Sequence, residues 1–351
     1  MYREEEEKVR YVGSDIYSTG VVRFVFGMLL VFSAARWQRT YDDLKSLLLQ
    51  ERFLSDDRLN SYLIEKLGPK ELERSRITFL RLCQSASNCG IVPPFIYYES
   101  RQMVAPKFRT AACVIYKNVS TILTAIMCYL YDAVTYKKHV TDMIQDTYNK
   151  RFCKYKNEYE SIRALTSFRN SSSVDSMDWF NILVVRDPLE RFISAFVNKC
   201  LKETKREAVC YNCGNDIQCL MEHQYERLMG DAQTPSTRHT VEDAHFAPQS
   251  WHCELRDSLR KYKIIKYSAS SANETLNELG FVLREIGVPD EILDDIRMQL
   301  TRKRTHHQTY QTKERVFYEN QVRSSPYLMK LLVKMFYYDY LLFGFPLPEV
   351  R

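Results

Sequence analysis

The chain has 351 residues, which is the size of one large domain or two small ones. An apolar fraction of 45% and a charged fraction of 27% are typical of soluble globular domains and exclude collagen-like, coiled-coil and wholly disordered classes. With 50 basic and 44 acidic residues, the net charge of +6 favours an anionic ligand but is too small for a protein that coats nucleic acid. Only 10 glycines occur, and neither G-x-G-x-x-G nor G-x-x-x-x-G-K-[ST] is found.

The amino-terminal region predicts entry into the secretory pathway. Residues 24–35 form an apolar segment that ends in small residues, among them Ser33 and Ala35, of the kind a signal peptidase reads. A membrane anchor over residues 16–35 is a second interpretation, although that stretch includes Arg23, and a buried amphipathic helix is a third. We assign residues 1–40 to a signal peptide or signal anchor region.

Next along the chain, a charged region with regularly placed leucines precedes the main domain. Residues 41–82 predict two short helices separated near Gly68 and Pro69, within a helical extension over residues 41–104. The remainder, residues 105–351, is predicted to form one α/β domain.

Three short apolar runs in this domain predict buried strands: residues 111–116, 180–185 and 262–267. Helical patterns follow them over residues 121–131, 189–196 and 273–286. Strands that alternate with helices indicate a central parallel sheet flanked by helices, and such a sheet binds its ligands at the carboxyl ends of its strands.

The first strand–helix junction, residues 116–121, has the composition of an anion site. Lys117, Ser120 and Thr121 lie where a helix start presents unpaired backbone N–H groups and the positive end of its dipole. This predicts a phosphate-binding loop built without glycine. The alternative is an ordinary Ser/Thr helix cap beside a solvated lysine.

The second junction strengthens the phosphate interpretation. Arg186 follows an apolar strand and can grip a phosphate through two N–H groups, and Ser194 lies eight residues further on. A local ion pair within a turn at residues 186–188 is the alternative. One ligand with two separated phosphate groups explains both junctions best, and 3′-phosphoadenosine 5′-phosphosulfate is such a ligand.

The ten cysteines admit two interpretations. In an oxidising compartment, the region from Cys200 to Cys253 would contain at least one disulfide. In the cytosol, three thiolates and an imidazole could hold zinc in a tetrahedral set, here Cys210, Cys213, Cys219 and His223. The spacing is unusual for zinc, so we expect disulfides and no bound metal.

Five segments, in this order, resemble the Golgi carbohydrate sulfotransferases that act on N-acetylgalactosamine or glucuronic acid residues of glycans. They are Cys113-x-x-x-Lys117-x-x-Ser120-Thr121, Arg186-Asp-Pro-Leu-Glu-Arg-Phe-Ile-Ser194, His245-Phe-Ala-Pro-Gln249 with Cys253, Arg304-Thr-His-His-Gln-Thr309, and Phe336-Tyr-Tyr-Asp-Tyr-Leu-Leu-Phe-Gly-Phe345. The first two are similar to the family's 5′-phosphosulfate loop and 3′-phosphate signature. The resemblance covers roughly residues 105–346 and is strongest to a divergent, nematode-type branch of the chondroitin and dermatan 4-O-sulfotransferases. One departure is Tyr-Lys-Asn-Val at residues 116–119, where the family usually has Pro-Lys-Val-Gly.

The resemblance implies a P-loop-like sulfotransferase fold in a single catalytic domain. It implies a carbohydrate O-sulfotransferase that uses 3′-phosphoadenosine 5′-phosphosulfate as co-substrate, with chondroitin 4-O-sulfation as the specific expectation. It also implies a glycan partner, no nucleic acid, no metal, and residence in the Golgi lumen as a type II membrane protein or a luminal one.

The resemblance carries site residues onto this chain as well. Lys117 and His245 are expected to be catalytic, with His139 a rival base and His252 a candidate for structural packing. The donor-binding residues are expected to be Lys117, Asn118, Val119, Ser120, Thr121, Arg186 and Ser194. Two other functions stay open: a kinase or other nucleotide-dependent transferase, and an inactive luminal glycan-binding member of the family.

Overall fold

The computed structural model describes residues 57–83, 90–146, 151–171, 179–203, 209–235, 239–302 and 312–350. The chain divides into two compact units, residues 1–80 and 81–351. In that description, no helix is long and apolar enough to cross a membrane, and the segment 16–35 lies outside it.

Thirteen α-helices occur within the described residues. In chain order they are α1 (Asp57–Lys66), α2 (Pro69–Leu82), α3 (Ser120–Tyr131), α4 (Ala133–His139), α5 (Ile162–Ser171), α6 (Pro188–Phe196), α7 (Ile217–Gln233), α8 (Val241–Phe246), α9 (Leu255–Ser258), α10 (Ala272–Glu285), α11 (Asp290–Arg302), α12 (Lys313–Ser324) and α13 (Pro326–Leu342). The two helices predicted in the extension are present as α1 and α2, and Pro69 begins the second, where its missing N–H costs nothing.

The described strands form one five-stranded sheet in the order β3-β1-β2-β4-β5. The strands are β1 (Gln102–Ala105), β2 (Thr110–Cys113), β3 (Glu158–Tyr159), β4 (Phe180–Arg186) and β5 (Tyr262–Tyr267). β2, β4 and β5 are parallel, whereas β1 is antiparallel to both β2 and β3.

This architecture confirms the α/β fold that the sequence predicts. The three predicted strands are β2, β4 and β5, and the helices predicted after them are α3, α6 and α10. The sheet is mixed rather than wholly parallel, because the β1–β2 hairpin and the short β3 add an antiparallel edge. β1 reads Gln-Met-Val-Ala, which is too short for periodicity to reveal a strand.

The sheet is buried where its parallel strands meet the helices. All four residues of β2 and the last five of β4 are buried, as expected when helices cover both faces of a parallel sheet. Met127 of α3, Ile182 and Val184 of β4, and Val282 of α10 lie in one apolar core. This packing fixes the two strand ends that carry the predicted anion sites.

Candidate functional site

The two predicted loops meet at one edge of the sheet. Cys113, the last residue of β2, pairs with Leu183 of the parallel strand β4. The loop after β2 leads into α3 at Ser120, and β4 ends at Arg186, immediately before α6. Both loops therefore leave neighbouring strands in the same direction, as the sequence predicts.

The loop after β2 has an unusual backbone. Lys117 has a φ of 69° and Val119, the residue that caps α3, has a φ of 55°. A left-handed conformation is rare for any residue other than glycine and is a genuine outlier for a β-branched one. Val119 stands where the resembled family has glycine, so the loop keeps the conformation although the residue that favours it is absent.

Lys117 lies in a cationic environment. Its half-buried ammonium donates a hydrogen bond to Asn198 Oδ1, just beyond the end of α6. Desolvation lowers the pKa of Lys117 well below the usual lysine value, and the positive charges of Lys199, Arg186 and Arg191 lower it further. Binding of an anion at this site is favourable, because its negative charge offsets the effects of desolvation and of the neighbouring cations on the Lys117 ammonium.

Arg186 connects the two loops directly. It is 4% exposed, and its Nη1 donates to the backbone oxygen of Lys117 at 3.2 Å. Nε and Nη2 donate to Glu190 Oε2, each at 3.2 Å, and the guanidinium lies 5.0 Å from the ring centre of Tyr267. Ser194 is buried on α6, two turns along the helix that Pro188 begins.

His245 lies beside the same loop. On α8, its Nδ1–H donates to the carbonyl oxygen of Val241 at 2.6 Å, which leaves Nε2 as the acceptor. Its ring packs against Tyr116, with 4.8 Å between the ring centres. Desolvation, followed by the charges of Lys117 and Lys199, lowers the pKa of His245 well below its usual value. The structure thus brings the two residues predicted to be catalytic into one electrostatic environment.

The other two histidines considered for this role are placed differently. His139 is exposed at the end of α4, where Nδ1–H donates to Thr135 and the ring stacks on Phe152. His252 is buried against Tyr98, with 5.0 Å between ring centres, next to the disulfide-bonded Cys253. This burial agrees with structural packing, the alternative that the sequence analysis gives for His252.

Asn118 supports the loop from inside. It is 1% exposed, and its Nδ2 donates to the oxygen of Val184 at 3.0 Å and to Oε1 of Gln249 at 2.7 Å. Its backbone N–H donates to the oxygen of Ile115. Asn118 therefore joins the predicted donor loop to β4 and to the segment that carries His245.

Arg191 ties the loop to the histidine segment. It is buried, and its Nε donates to the oxygen of Tyr116 at 3.0 Å while Nη1 donates to the oxygen of Ala247 at 2.7 Å. Desolvation lowers the pKa of Arg191 to about 10. The sequence does not reveal these contacts of Arg191, because both partners are backbone oxygens that fifty or more residues separate from it.

Four disulfides lie within the described residues: Cys113–Cys253, Cys128–Cys153, Cys200–Cys210 and Cys213–Cys219. The prediction of at least one disulfide between Cys200 and Cys253 is confirmed. His223 Nδ1 lies 3.9 and 3.8 Å from the two sulfurs of Cys213–Cys219, so three of the four residues considered as zinc ligands are neighbours, whereas Cys210 is bonded to Cys200. Their sulfurs are joined as a disulfide, whereas zinc requires thiolates.

Comparison with known proteins agrees with this geometry. The sequence model described as "Sulfotransferase family" matches residues 100–346. The carbohydrate sulfotransferase chst-1 of Caenorhabditis elegans is 31% identical over 79% of this chain and 84% of its own length. An uncharacterized protein of the same organism is 31% identical over 84% of this chain and 81% of its own length. No solved structure gives a significant match. With a family match across both loops and the whole sheet, the chain belongs to the sulfotransferase family.

Proposed function

We propose that this protein is a carbohydrate sulfotransferase that takes its sulfuryl group from 3′-phosphoadenosine 5′-phosphosulfate. The observation that carries the proposal is the contact between Arg186 and the backbone of Lys117, which joins the two cationic loops at one sheet edge. A carbohydrate acceptor is supported by the similarity to chst-1, a carbohydrate sulfotransferase by name.

The residues present suit a doubly anionic nucleotide. The Lys117 ammonium, the left-handed loop and the start of α3 supply positive potential at the first site. Arg186 and Ser194 supply a guanidinium and a hydroxyl at the second. We assign the 5′ side to Lys117, Asn118, Val119, Ser120 and Thr121, and the 3′-phosphate to Arg186 and Ser194.

When bound, the donor supplies an activated sulfuryl group whose bond to the 5′-phosphate oxygen breaks as sulfur bonds to the acceptor oxygen. Lys117 Nζ–H donates to the oxygen that leaves, so its charge is most useful in the transition state. Such a transfer depends chiefly on alignment and charge stabilisation.

His245 is the proposed general base. Its Nε2 carries a lone pair because Nδ1–H is held by Val241, so it can take the proton of the acceptor hydroxyl. Burial and the nearby cations keep this imidazole neutral. An anion beside Lys117 offsets one cause of the low pKa and makes the base stronger when the donor is in place.

The acceptor and the compartment extend the proposal. We assign the protein to the Golgi lumen, where it is either luminal or anchored through residues 16–35. We propose that the reaction is the 4-O-sulfation of chondroitin. The four disulfides support an oxidising compartment.

Two measurements test the proposal. Adenosine 3′,5′-bisphosphate should raise the melting temperature, whereas ATP without magnesium should not, because only the first ligand has both phosphate groups in the required positions. Transfer from radiolabelled donor should then be measured with desulfated chondroitin, dermatan and heparan. Stabilisation by ATP alone would favour a kinase, and bisphosphate binding without transfer to any glycan would favour an inactive binding protein.

A further inference from the structure

The side-chain amide of Gln249 is bonded to both donor loops at once. Its Oε1 accepts from Asn118 Nδ2 at 2.7 Å and from the backbone N–H of Arg186 at 2.9 Å. Its Nε2 donates to the backbone oxygen of Arg186 at 2.8 Å. One side chain therefore holds the loop after β2 and the end of β4 at a fixed separation.

The backbone of Gln249 is itself anchored. Its N–H and that of Ser250 donate to the two carboxylate oxygens of Asp339 on α13, at 2.6 and 2.9 Å. Gln249 and Asp339 are 0% and 1% exposed. Because Gln249 is enclosed by protein, it acts on a ligand only through the loops that it holds.

We infer that Gln249 is a positioning residue that sets the distance between the 5′ and 3′ phosphate sites, an inference that rests on the proposed function. Two anion sites bind a ligand with two anionic groups more tightly when their separation already matches it, because the second contact is made without further ordering. A ligand with one anionic group occupies only one site, so its affinity depends little on the distance between the two sites. Loss of Gln249 should therefore weaken the bisphosphate far more than either monophosphate.

The test is calorimetric titration of wild type and Gln249→Ala with adenosine 3′,5′-bisphosphate, adenosine 5′-phosphate and adenosine 3′-phosphate. We expect the bisphosphate dissociation constant to rise at least tenfold and each monophosphate constant to rise less than threefold. The matched control is Gln224→Ala, which removes another fully buried glutamine, one whose Oε1 accepts from Tyr211 on the α7 side of the fold. That variant should lose stability without changing the ratio of the constants.

A second variant keeps the experiment decisive if the alanine protein does not fold. Gln249→Met keeps a similar volume but makes none of the three side-chain hydrogen bonds to Asn118 and Arg186, so it should show the same selective loss. Equal losses for all three ligands, or an unchanged bisphosphate constant, would overturn the inference. If wild type binds the bisphosphate no more tightly than the monophosphates, the proposed function itself fails and the inference fails with it.

Discussion

Lys117, the proposed catalytic cation, should contribute little to the stability of the fold. Desolvation and neighbouring cations lower its pKa, so the protonated form of Lys117 is unfavourable until an anion binds beside it. Lys117→Ala should abolish sulfuryl transfer and change the unfolding free energy by less than about 1 kcal/mol, the scale of a side chain with few stabilising contacts. Transfer assays and urea denaturation measure the two effects.

The matched control is Lys199→Ala, because Lys199 lies in the same cationic cluster. Its ammonium is paired with Glu203 at 2.6 and 2.8 Å, so it adds potential without reaching the reacting group in our proposal. We expect a loss of activity several-fold at most. Transfer by Lys117→Ala within threefold of wild type would exclude Lys117 as the catalytic cation.

At the scale of elements, the link between β2 and α3 stores backbone strain at Val119. Val119→Gly should relieve a left-handed conformation that costs roughly 1–2 kcal/mol in a residue with a Cβ. The control is Val140→Gly, since Val140 packs against the same core with an ordinary φ of −114°. Denaturation should show that the substitution at 119 costs about 1–2 kcal/mol less than the one at 140. Equal costs would mean that the loop is not strained.

The sequence predicts the strands and helices better than it predicts the contacts between them. Apolar runs identified β2, β4 and β5, and the residues that follow them identified Lys117 and Arg186. Gln249 lies in a segment that resembles the family, but its contacts could not be predicted, because its three side-chain hydrogen bonds join it to Asn118 and Arg186, 131 and 63 residues away. The left-handed φ of Val119 also escaped prediction, since the residue itself disfavours that conformation.

For the molecule as a whole, the disulfides should differ in their contribution to stability. Cys113–Cys253 spans 140 residues and Cys213–Cys219 spans 6. Loop-closure entropy predicts that replacing both cysteines of the first disulfide by alanine lowers the free energy of unfolding by about 2–3 kcal/mol more than the same change in the second. This range includes the effect of the three disulfides inside the long loop, which shorten it. Urea midpoints of the two double variants check this difference. Equal midpoints would contradict the entropic account.

The whole molecule should also lose stability as the pH falls below about 6.5. Burial keeps the pKa of His252 in the folded chain well below its unfolded value, so only the unfolded chain takes up this proton. Unfolding is then favoured by as much as about 1.4 kcal/mol per pH unit for each such histidine, and His245 acts with the same sign. The slope of unfolding free energy between pH 7.5 and 5.5 should be smaller in His252→Phe. An unchanged slope would mean that His252 takes up its proton equally in the folded and unfolded chains.

The hydrogen bond from the backbone N–H of Gln249 to the Asp339 carboxylate also sets an order of events during biosynthesis. The growing chain presents both donor loops well before α13 is made, and at about 5–20 residues per second the delay is on the order of ten seconds. During that interval no carboxylate holds the backbone of Gln249, the residue whose side chain bonds to both loops. A nascent chain released before Asp339 would thus contain every proposed phosphate-binding residue but lack the carboxylate that anchors Gln249, which makes the distant α13 the last element to complete the proposed site.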